Sequence, residues 1–366
     1  MGNSHCWPAR RGIAAPNAAV LTAPVPVGEA AEPAVSSVAR VSVRGLSSDD
    51  FVREYVAENT PVIFTDALPA AWERAEAWTP EYLESAAPAD SQVTVAPLMA
   101  DGRDKWLESA TLWPGGLEAE PLPGVVHGDR FLAVAASRIQ VSMAAFAASL
   151  RGDRAEYPAL YADGASNLDG SFGFLAADIP DRPAVGDSLR FKRSDLWLGG
   201  ATTSTVHYDN VENLFAQLVG EKEFLLFPPG DTEKLVDGRL RKAYATWRNG
   251  EFVREEAGIS NEAVMNYAAY DVYNAPAEYA ERRQRLRPTL VRVRAGEVLY
   301  LPFGWWHQVR GFPAAHGLCA SVATYFEPFF VRLQPKARTR PGPLLPNPKY
   351  RDLCKRLRLD SGSEDG

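Results

Sequence analysis

The apolar positions in the second half of the chain occur in short runs that predict β-strands. From about residue 157 onward, runs rich in Val, Leu, Tyr and Phe are separated by Gly and Pro turns, as in LRFKRSDLWLGG (189–200), TLVRVRAGEVLYLP (289–302) and CASVATYF (319–326). Many short strands divided by such turns are typical of a double-sheet jelly roll. We therefore predict a mainly β fold with a jelly-roll core, a double-stranded β-helix, over residues 157–336.

The first half of the chain shows a mixed pattern. A helical face begins after Ser47 or Ser48, and PVIF at 61–64 and QVTV at 92–95 predict strands. Thr79 followed by Pro80 predicts a helix start, as does Ser142 before an apolar run. Residues 41–156 are therefore predicted to form α/β flanking elements.

Three other segments differ from these two patterns. Residues 231–287 are charged and predict a helical insertion between two strands of the barrel. Residues 1–40 are rich in Ala and Pro and predict a disordered or organelle-targeting leader. The tail at 337–366 is Pro-rich with an acidic end, which predicts an extension that forms helix poorly. The oligomeric state therefore stays open, a homodimer included.

Composition narrows the classes of function. The chain of 366 residues is 46% hydrophobic and has a formal net charge of −7, so it can fill a large core and has no general positive field to attract DNA. No apolar run reaches the roughly 18 to 20 residues that cross a bilayer. Cys6, Cys319 and Cys354 lie too far apart for a disulfide framework. We expect an intracellular protein of the cytoplasm or nucleus, unless the leader directs it to an organelle.

A histidine and an acid stand two positions apart in the predicted strand STVHYD. Their side chains leave the same face, so His207 and Asp209 can share a ligand. An isolated pair of this kind is more often a histidine satisfied by its neighbour, so a third ligand is required. His307, at the end of GEVLYLPFGWWH, is the natural candidate. Two imidazoles and one carboxylate suit a non-haem iron(II) oxygenase, although a zinc hydrolase uses the same ligand types.

A lysine in the next predicted strand adds a second indication. Lys222 shares strand parity with Phe224 and Leu226, so its ammonium is expected to point into the barrel. An unpaired ammonium there is costly, and a dicarboxylate cosubstrate would pair with it. The alternative is a solvated hairpin turn at GEKE.

These motifs together resemble the JmjC group of cupin-like 2-oxoglutarate oxygenases, in its compact hydroxylase branch. The matching motifs are, in order, His-x-Asp, Gly-x-Lys before a strand ending Phe-Pro-Pro, GEVLYLP and Trp-x-His. The resemblance covers roughly residues 45–330. The resemblance implies that His207, Asp209 and His307 bind Fe(II), and that 2-oxoglutarate and O2 are cosubstrates.

The resemblance also implies contacts to 2-oxoglutarate. Lys222 and Tyr161 correspond to residues on its far carboxylate, Ser204 to a hydroxyl residue three positions before the first histidine, and Asn213 to an asparagine near the metal. One position departs from the family pattern, because the hydroxylases have an asparagine where this chain has Ala323. Ser321, on the same strand face, is the candidate replacement through a water molecule.

For function, the resemblance implies hydroxylation of a protein side chain, with a lysyl residue as the narrower hypothesis and a polypeptide as the partner. Three alternatives stay open. An N-methyl-lysine demethylase would release formaldehyde. A hydroxylase of a modified tRNA base would need a basic groove. A non-catalytic cupin-like binding protein is the third, and Ala323 is the residue that favours it.

Overall fold

The computed structural model describes residues 38–116, 131–164, 168–235, 240–264, 266–268, 270, 272, 279–332 and 344–359. The predicted leader lies almost entirely outside the described residues, as do residues 337–343 and 360–366 of the predicted tail. No helix in the described part of the chain is long and apolar enough to cross a membrane.

The N-terminal part mixes strands and short helices. Its strands are β1 (Arg40–Val41), β2 (Val62–Phe64), β3 (Gln92–Pro97), β4 (Lys105–Ser109), β5 (Phe131–Ala136) and β6 (Ile139–Ser142). Its helices are α1 (Ser48–Phe51), continued by a π-helical turn at Val52–Val56, α2 (Glu73–Glu76), α3 (Pro80–Ala86) and α4 (Met143–Leu150). The predicted helix starts are confirmed, because the hydroxyls of Ser47, Thr79 and Ser142 each accept a backbone N–H of the first turn.

The remaining elements are mainly strands. They are β7 (Leu160–Asp163), β8 (Phe191–Gly199), β9 (Thr202–Thr203), β10 (His207–Tyr208), β11 (Glu212–Val219), β12 (Glu221–Phe227), α5 (Thr232–Leu235), β13 (Leu240–Arg248), β14 (Glu251–Val253), β15 (Ile259–Val264), α6 (Ala280–Gln284), β16 (Thr289–Arg294), β17 (Val298–Leu301), β18 (Trp306–Phe312), β19 (Cys319–Phe326), β20 (Phe330–Arg332), β21 (Leu344–Pro346) and α7 (Arg351–Leu357). Short 3-10 turns occur at Ala70–Trp72, Ala110–Leu112, Gly173–Asp178, Ala184–Gly186, Pro229–Asp231, Glu256–Gly258 and Pro348–Tyr350.

Two sheets form the jelly roll. A nine-stranded sheet has the order β1-β2-β17-β11-β19-β8-β7-β3-β6, and a five-stranded sheet has the order β10-β18-β12-β16, with β9 also paired to β18. An inner cluster joins them, with Phe215, Leu299 and Ala323 from the large sheet and Phe224 and Val291 from the small one. The predicted mainly β, jelly-roll class is confirmed.

Strand β11 is buried on both faces of the large sheet. All eight of its residues are buried. Leu214 and Ala216 pack in the outer cluster, where the N-terminal helices cover the sheet, whereas Phe215 points into the barrel. Asn213 and Gln217 share the parity of Phe215, so these two polar side chains belong to the barrel interior.

The insertion at 231–287 is not helical as predicted. Its described residues form β13, β14 and β15, in which β13 pairs with β14, β15 and β5, while α5 and α6 are short. The deciding signal is Asn249-Gly250, whose φ angles of 52° and 87° suit the tight hairpin between β13 and β14. The charged residues of this segment are divided between these strands and the short helices, as with Lys242 and Glu262 on β13 and β15 and Arg282 on α6.

The tail prediction is also wrong in part. Helix α7 buries Leu353, Cys354 and Leu357 in the outer cluster. The prolines that disfavour helix all precede Arg351, and the apolar residues behind them have helical spacing. Arg356 pairs with Asp49 of α1, which fixes the helix to the N-terminal elements.

We expect Leu357→Ala to lower the free energy of unfolding by about 2 to 5 kcal/mol, because it leaves a cavity in the core. Leu345→Ala is the matched control. Its leucine is 40% exposed, against 5% for Leu357, and we expect a change below about 0.5 kcal/mol. Chemical denaturation measures both, and equal small effects would show that α7 is not part of the core.

Candidate metal centre

The two strand-borne histidines face each other across β10 and β18. His207 pairs with His307 in the antiparallel register, and their ring centroids are 4.3 Å apart. The Nδ1 atom of His207 lies 2.8 Å from the carbonyl oxygen of Thr205, and that of His307 lies 3.0 Å from the carbonyl oxygen of Trp305. A carbonyl only accepts, so each Nδ1 carries the proton. Both Nε2 lone pairs are therefore available to a metal.

Asp209 completes the group just beyond the end of β10. Its carboxylate Oδ2 is 3.9 Å from the Nε2 of His307, and one ligand atom from each of the three residues lies within 4.8 Å of the others. The Gly304 N–H donates to the Asp209 carbonyl at 3.0 Å, so the turn before β18 holds this residue in place. The structure thus brings the three predicted ligands together.

The electrostatics suit a divalent cation. Burial, with the neighbouring His207 as the second cause, lowers the pKa of His307 to about 4. The imidazole of His307 is therefore neutral at physiological pH, as a metal ligand must be. The side chain of Asp209 is 32% exposed and that of His307 is 5% exposed. The site is therefore closed at His307 and partly open at His207 and Asp209.

Lys222 lies inside the barrel, as its strand parity predicts, and is 3% exposed. Its ammonium donates to the hydroxyl of Tyr161 at 3.5 Å and lies 5.1 to 5.9 Å from the ring centroids of Phe215, Trp197 and Tyr161. Within the described residues it meets no carboxylate, and burial lowers its pKa to about 8. A buried ammonium without a counter-charge indicates that an anionic ligand belongs there.

The other predicted contacts line the same interior or its rim. The Oδ1 atom of Asn213 is buried and has no hydrogen-bond partner among the described residues, so it too can serve a ligand. The hydroxyl of Ser204 accepts the N–H of Val309 at 2.8 Å, which holds the segment before β10 against β18. Cosubstrate binding by Ser204, Asn213, Tyr161 and Lys222 stays a prediction.

The departure at Ala323 places a methyl group between Phe215 of β11 and the buried Asp195 of β8. Ala323 is buried in the inner cluster opposite Phe215. The hydroxyl of Ser321 donates to the Oε1 of Gln217 at 2.8 Å. Ser321 is thus engaged with Gln217 of the neighbouring strand β11, and its expected water-mediated contact to the cosubstrate stays a prediction.

Sequence reasoning missed several residues around the site. Trp197 and Phe215 surround Lys222, and the inward parity of β8 and β11 was a usable signal for both. Tyr267 stacks on His207, with centroids 5.7 Å apart and an interplanar angle of 22°. It reaches His207 through an isolated bridge from the insertion, a non-local pairing for which the sequence has no local pattern.

Tyr267 also lines a cavity of about 520 Å³, whose wall combines charged and apolar side chains. The Lys105 ammonium contacts both Asp104 and Asp163, and Arg138 donates twice to Asp163, each time at 2.8 Å. These four side chains line the cavity together with the tyrosine. Tyr267 therefore contacts both His207 and this cavity.

We expect His207→Ala to lower the affinity for Mn(II), a redox-stable substitute for Fe(II), by more than about 100-fold, because losing a ligand costs more than losing a residue behind one. His316→Ala is the control, since His316 lies outside the ligand group. Anaerobic titration of metal into each purified variant measures the difference. Equal Mn(II) affinities of the two variants would show that His207 is not a metal ligand.

We expect Lys222→Met to stabilise the ligand-free protein by about 1 to 3 kcal/mol at pH 7, because it removes a desolvated ammonium while keeping the volume. The pKa of Lys222 is lowered from 10.5 to about 8, so the unfolded state binds more protons between these values. Wild-type stability should therefore rise with pH across that window, and the variant should lack this rise.

Urea denaturation between pH 7 and 10 measures both effects, with Lys192→Met of an exposed β8 lysine as the control. A loss of stability in Lys222→Met, or an unchanged pH profile, would contradict the assignment of an uncompensated ammonium.

Comparison with known proteins agrees with this geometry. The family model for a cupin-like domain matches residues 48–332. The chain is 31% identical over 270 residues to the bifunctional peptidase and (3S)-lysyl hydroxylase JMJD7 of Homo sapiens, which covers 71% of this chain and 76% of the relative. It is 27% identical to JmjC domain-containing protein E of Dictyostelium discoideum, over 71% of this chain and 75% of the relative.

A third relative is the lysine-specific demethylase JMJ32 of Arabidopsis thaliana, 32% identical over 36% of this chain and 41% of the relative. The family match spans the jelly roll, the N-terminal elements and the three predicted ligands. The chain therefore belongs to the cupin-like, JmjC-containing family.

Proposed function

We propose that the chain is an Fe(II)- and 2-oxoglutarate-dependent oxygenase that hydroxylates a protein side chain. The observation that carries the proposal is that one barrel contains two groups. One is the set of two Nε2 atoms and one carboxylate, and the other is the buried ammonium of Lys222, which has no counter-charge among the described residues. The first group suits Fe(II), and the second suits the far carboxylate of 2-oxoglutarate. JmjC relatives are 2-oxoglutarate oxygenases as a group, which supports the same chemistry here.

Each residue has a defined task in this proposal. His207, Asp209 and His307 would bind Fe(II) on one face and leave the opposite positions open. Lys222 and Tyr161 would orient 2-oxoglutarate by its far carboxylate, since burial keeps the Tyr161 hydroxyl protonated by raising its pKa well above the usual range. Asn213 offers an unpaired carbonyl oxygen near the metal end. Phe215, Phe224 and Leu299 exclude water from the interior.

The bound iron and cosubstrate supply the oxidation, in which O2 and 2-oxoglutarate give succinate and CO2 while one oxygen atom enters a C–H bond of the substrate. The protein contributes a dry interior and a fixed orientation. The Nδ1–H groups of His207 and His307 donate to the carbonyl oxygens of Thr205 and Trp305, which holds both rings in one tautomer.

A polypeptide is the proposed substrate class, with a lysyl side chain as the narrower proposal. The cavity that Tyr267 lines supports it, because residues that flank a modified side chain need space close to the site. The relative named as a lysyl hydroxylase covers most of the chain, whereas the one named as a demethylase covers a smaller part. Demethylation stays the second candidate on that ground.

We expect the purified protein with Fe(II), 2-oxoglutarate and a cell extract to form succinate above the uncoupled background, and to add 16 Da to some polypeptide. Asp209→Ala should abolish both signals, because it removes a metal ligand. Mass spectrometry of the products and a succinate assay measure them.

A formaldehyde assay run in parallel separates the two candidates. Formaldehyde with loss of 14 Da would favour demethylation, and +16 Da without formaldehyde would favour hydroxylation. Undiminished turnover by Asp209→Ala would contradict the proposed metal centre under either reading.

A further inference from the structure

A carboxylate buried next to the metal centre has no part in the chemistry proposed so far. Glu212 opens β11, three positions after Asp209, and is 1% exposed. Among the described residues it pairs with no lysine or arginine. A buried carboxylate without a cation is costly unless hydrogen bonds satisfy it.

Three donors from three segments satisfy this carboxylate. Its Oε2 accepts the Tyr300 hydroxyl at 2.8 Å and the Phe303 N–H at 2.9 Å. Its Oε1 accepts the Phe329 N–H at 2.8 Å. Glu212 therefore joins the end of β17, the turn before β18 and the segment that follows β19.

The turn before β18 contacts two of the metal ligands, Asp209 and His307. Phe303 lies in it, and the adjacent Gly304 donates its N–H to the Asp209 carbonyl at 3.0 Å. The carbonyl oxygen of the next residue, Trp305, accepts a hydrogen bond from the Nδ1–H of His307 at 3.0 Å. One rigid turn thus touches Asp209 on one side and orients the imidazole of His307 on the other.

We propose that Glu212 is a positioning residue that fixes this turn and so sets the geometry between Asp209 and His307. It does not touch the metal. The inference rests on the proposed metal centre, and it assigns the buried carboxylate to ligand placement and not to general packing.

A second buried carboxylate provides a matched control. Asp178 is 4% exposed and accepts the indole N–H of Trp78 at 2.9 Å and the hydroxyl of Tyr82 at 2.6 Å. Like Glu212 it satisfies buried donors, although it also contacts the exposed Arg74 at 3.5 Å, and it lies on elements that carry none of the three ligands. If Glu212 had a purely structural role, amide substitutions at Glu212 and Asp178 would change stability and Mn(II) affinity to the same extent.

The test compares Glu212→Gln with Asp178→Asn in the full chain, using Mn(II) binding followed by electron paramagnetic resonance. Each amide keeps the shape but replaces one acceptor with a donor, so one buried N–H or O–H loses its partner. We expect Glu212→Gln to weaken Mn(II) binding about 10- to 100-fold and to alter the spectrum of the bound ion.

Asp178→Asn should lower the melting temperature by a similar amount, yet bind Mn(II) within about threefold of wild type with an unchanged spectrum, because distant sites act independently. Wild-type binding and spectrum in Glu212→Gln, or an equal loss of affinity in both variants, would overturn the positioning role.

Glu212→Asp keeps the charge and shortens the side chain, and it serves if the glutamine variant does not fold. We expect an intermediate affinity and a partly altered spectrum, and unchanged values in this variant would overturn the proposal. If the wild type did not bind Mn(II), both the proposed metal centre and the role of Glu212 would be contradicted. If the wild type bound Mn(II) and the variants bound it equally well, only the role of Glu212 would be contradicted.

Discussion

The antiparallel register between β10 and β18 is the constraint on which the candidate site depends. It sets His207 opposite His307 on the inner face, and Tyr208 opposite Trp306 on the outer face. A slip of one residue would exchange the two faces and turn both imidazoles out of the barrel. The Ser204 contact to Val309 and the Gly304 contact to Asp209 hold this register from its two ends.

The same barrel that forms the metal centre keeps an ammonium in an unfavourable setting. Lys222 is surrounded by aromatic rings, and their attraction offsets only part of the cost of burying its charge. An apolar residue would suit the ligand-free core better. A lysine at this position has a function if the folded protein encloses an anion. Lys222 then lowers the stability of the ligand-free protein and at the same time provides the charge that binds the ligand.

How far the sequence could be interpreted depended on whether each signal was local. Strand parity predicted that Lys222 points inward, and spacing predicted the shared face of His207 and Asp209. The helical insertion was wrong because charged composition outweighed the Asn249-Gly250 hairpin signal, and α7 was missed because its apolar spacing follows a run of prolines. Tyr267 could not be found, since its contact with His207 arises only when distant segments meet.

The position of the bound ion tests the central claim most directly. Anomalous diffraction from crystals grown with Mn(II) locates the metal without reference to turnover. We predict a single peak within coordination distance of the Nε2 of His207, the Nε2 of His307 and a carboxylate oxygen of Asp209. A peak away from these three residues, or coordination through either Nδ1, would contradict the proposed centre.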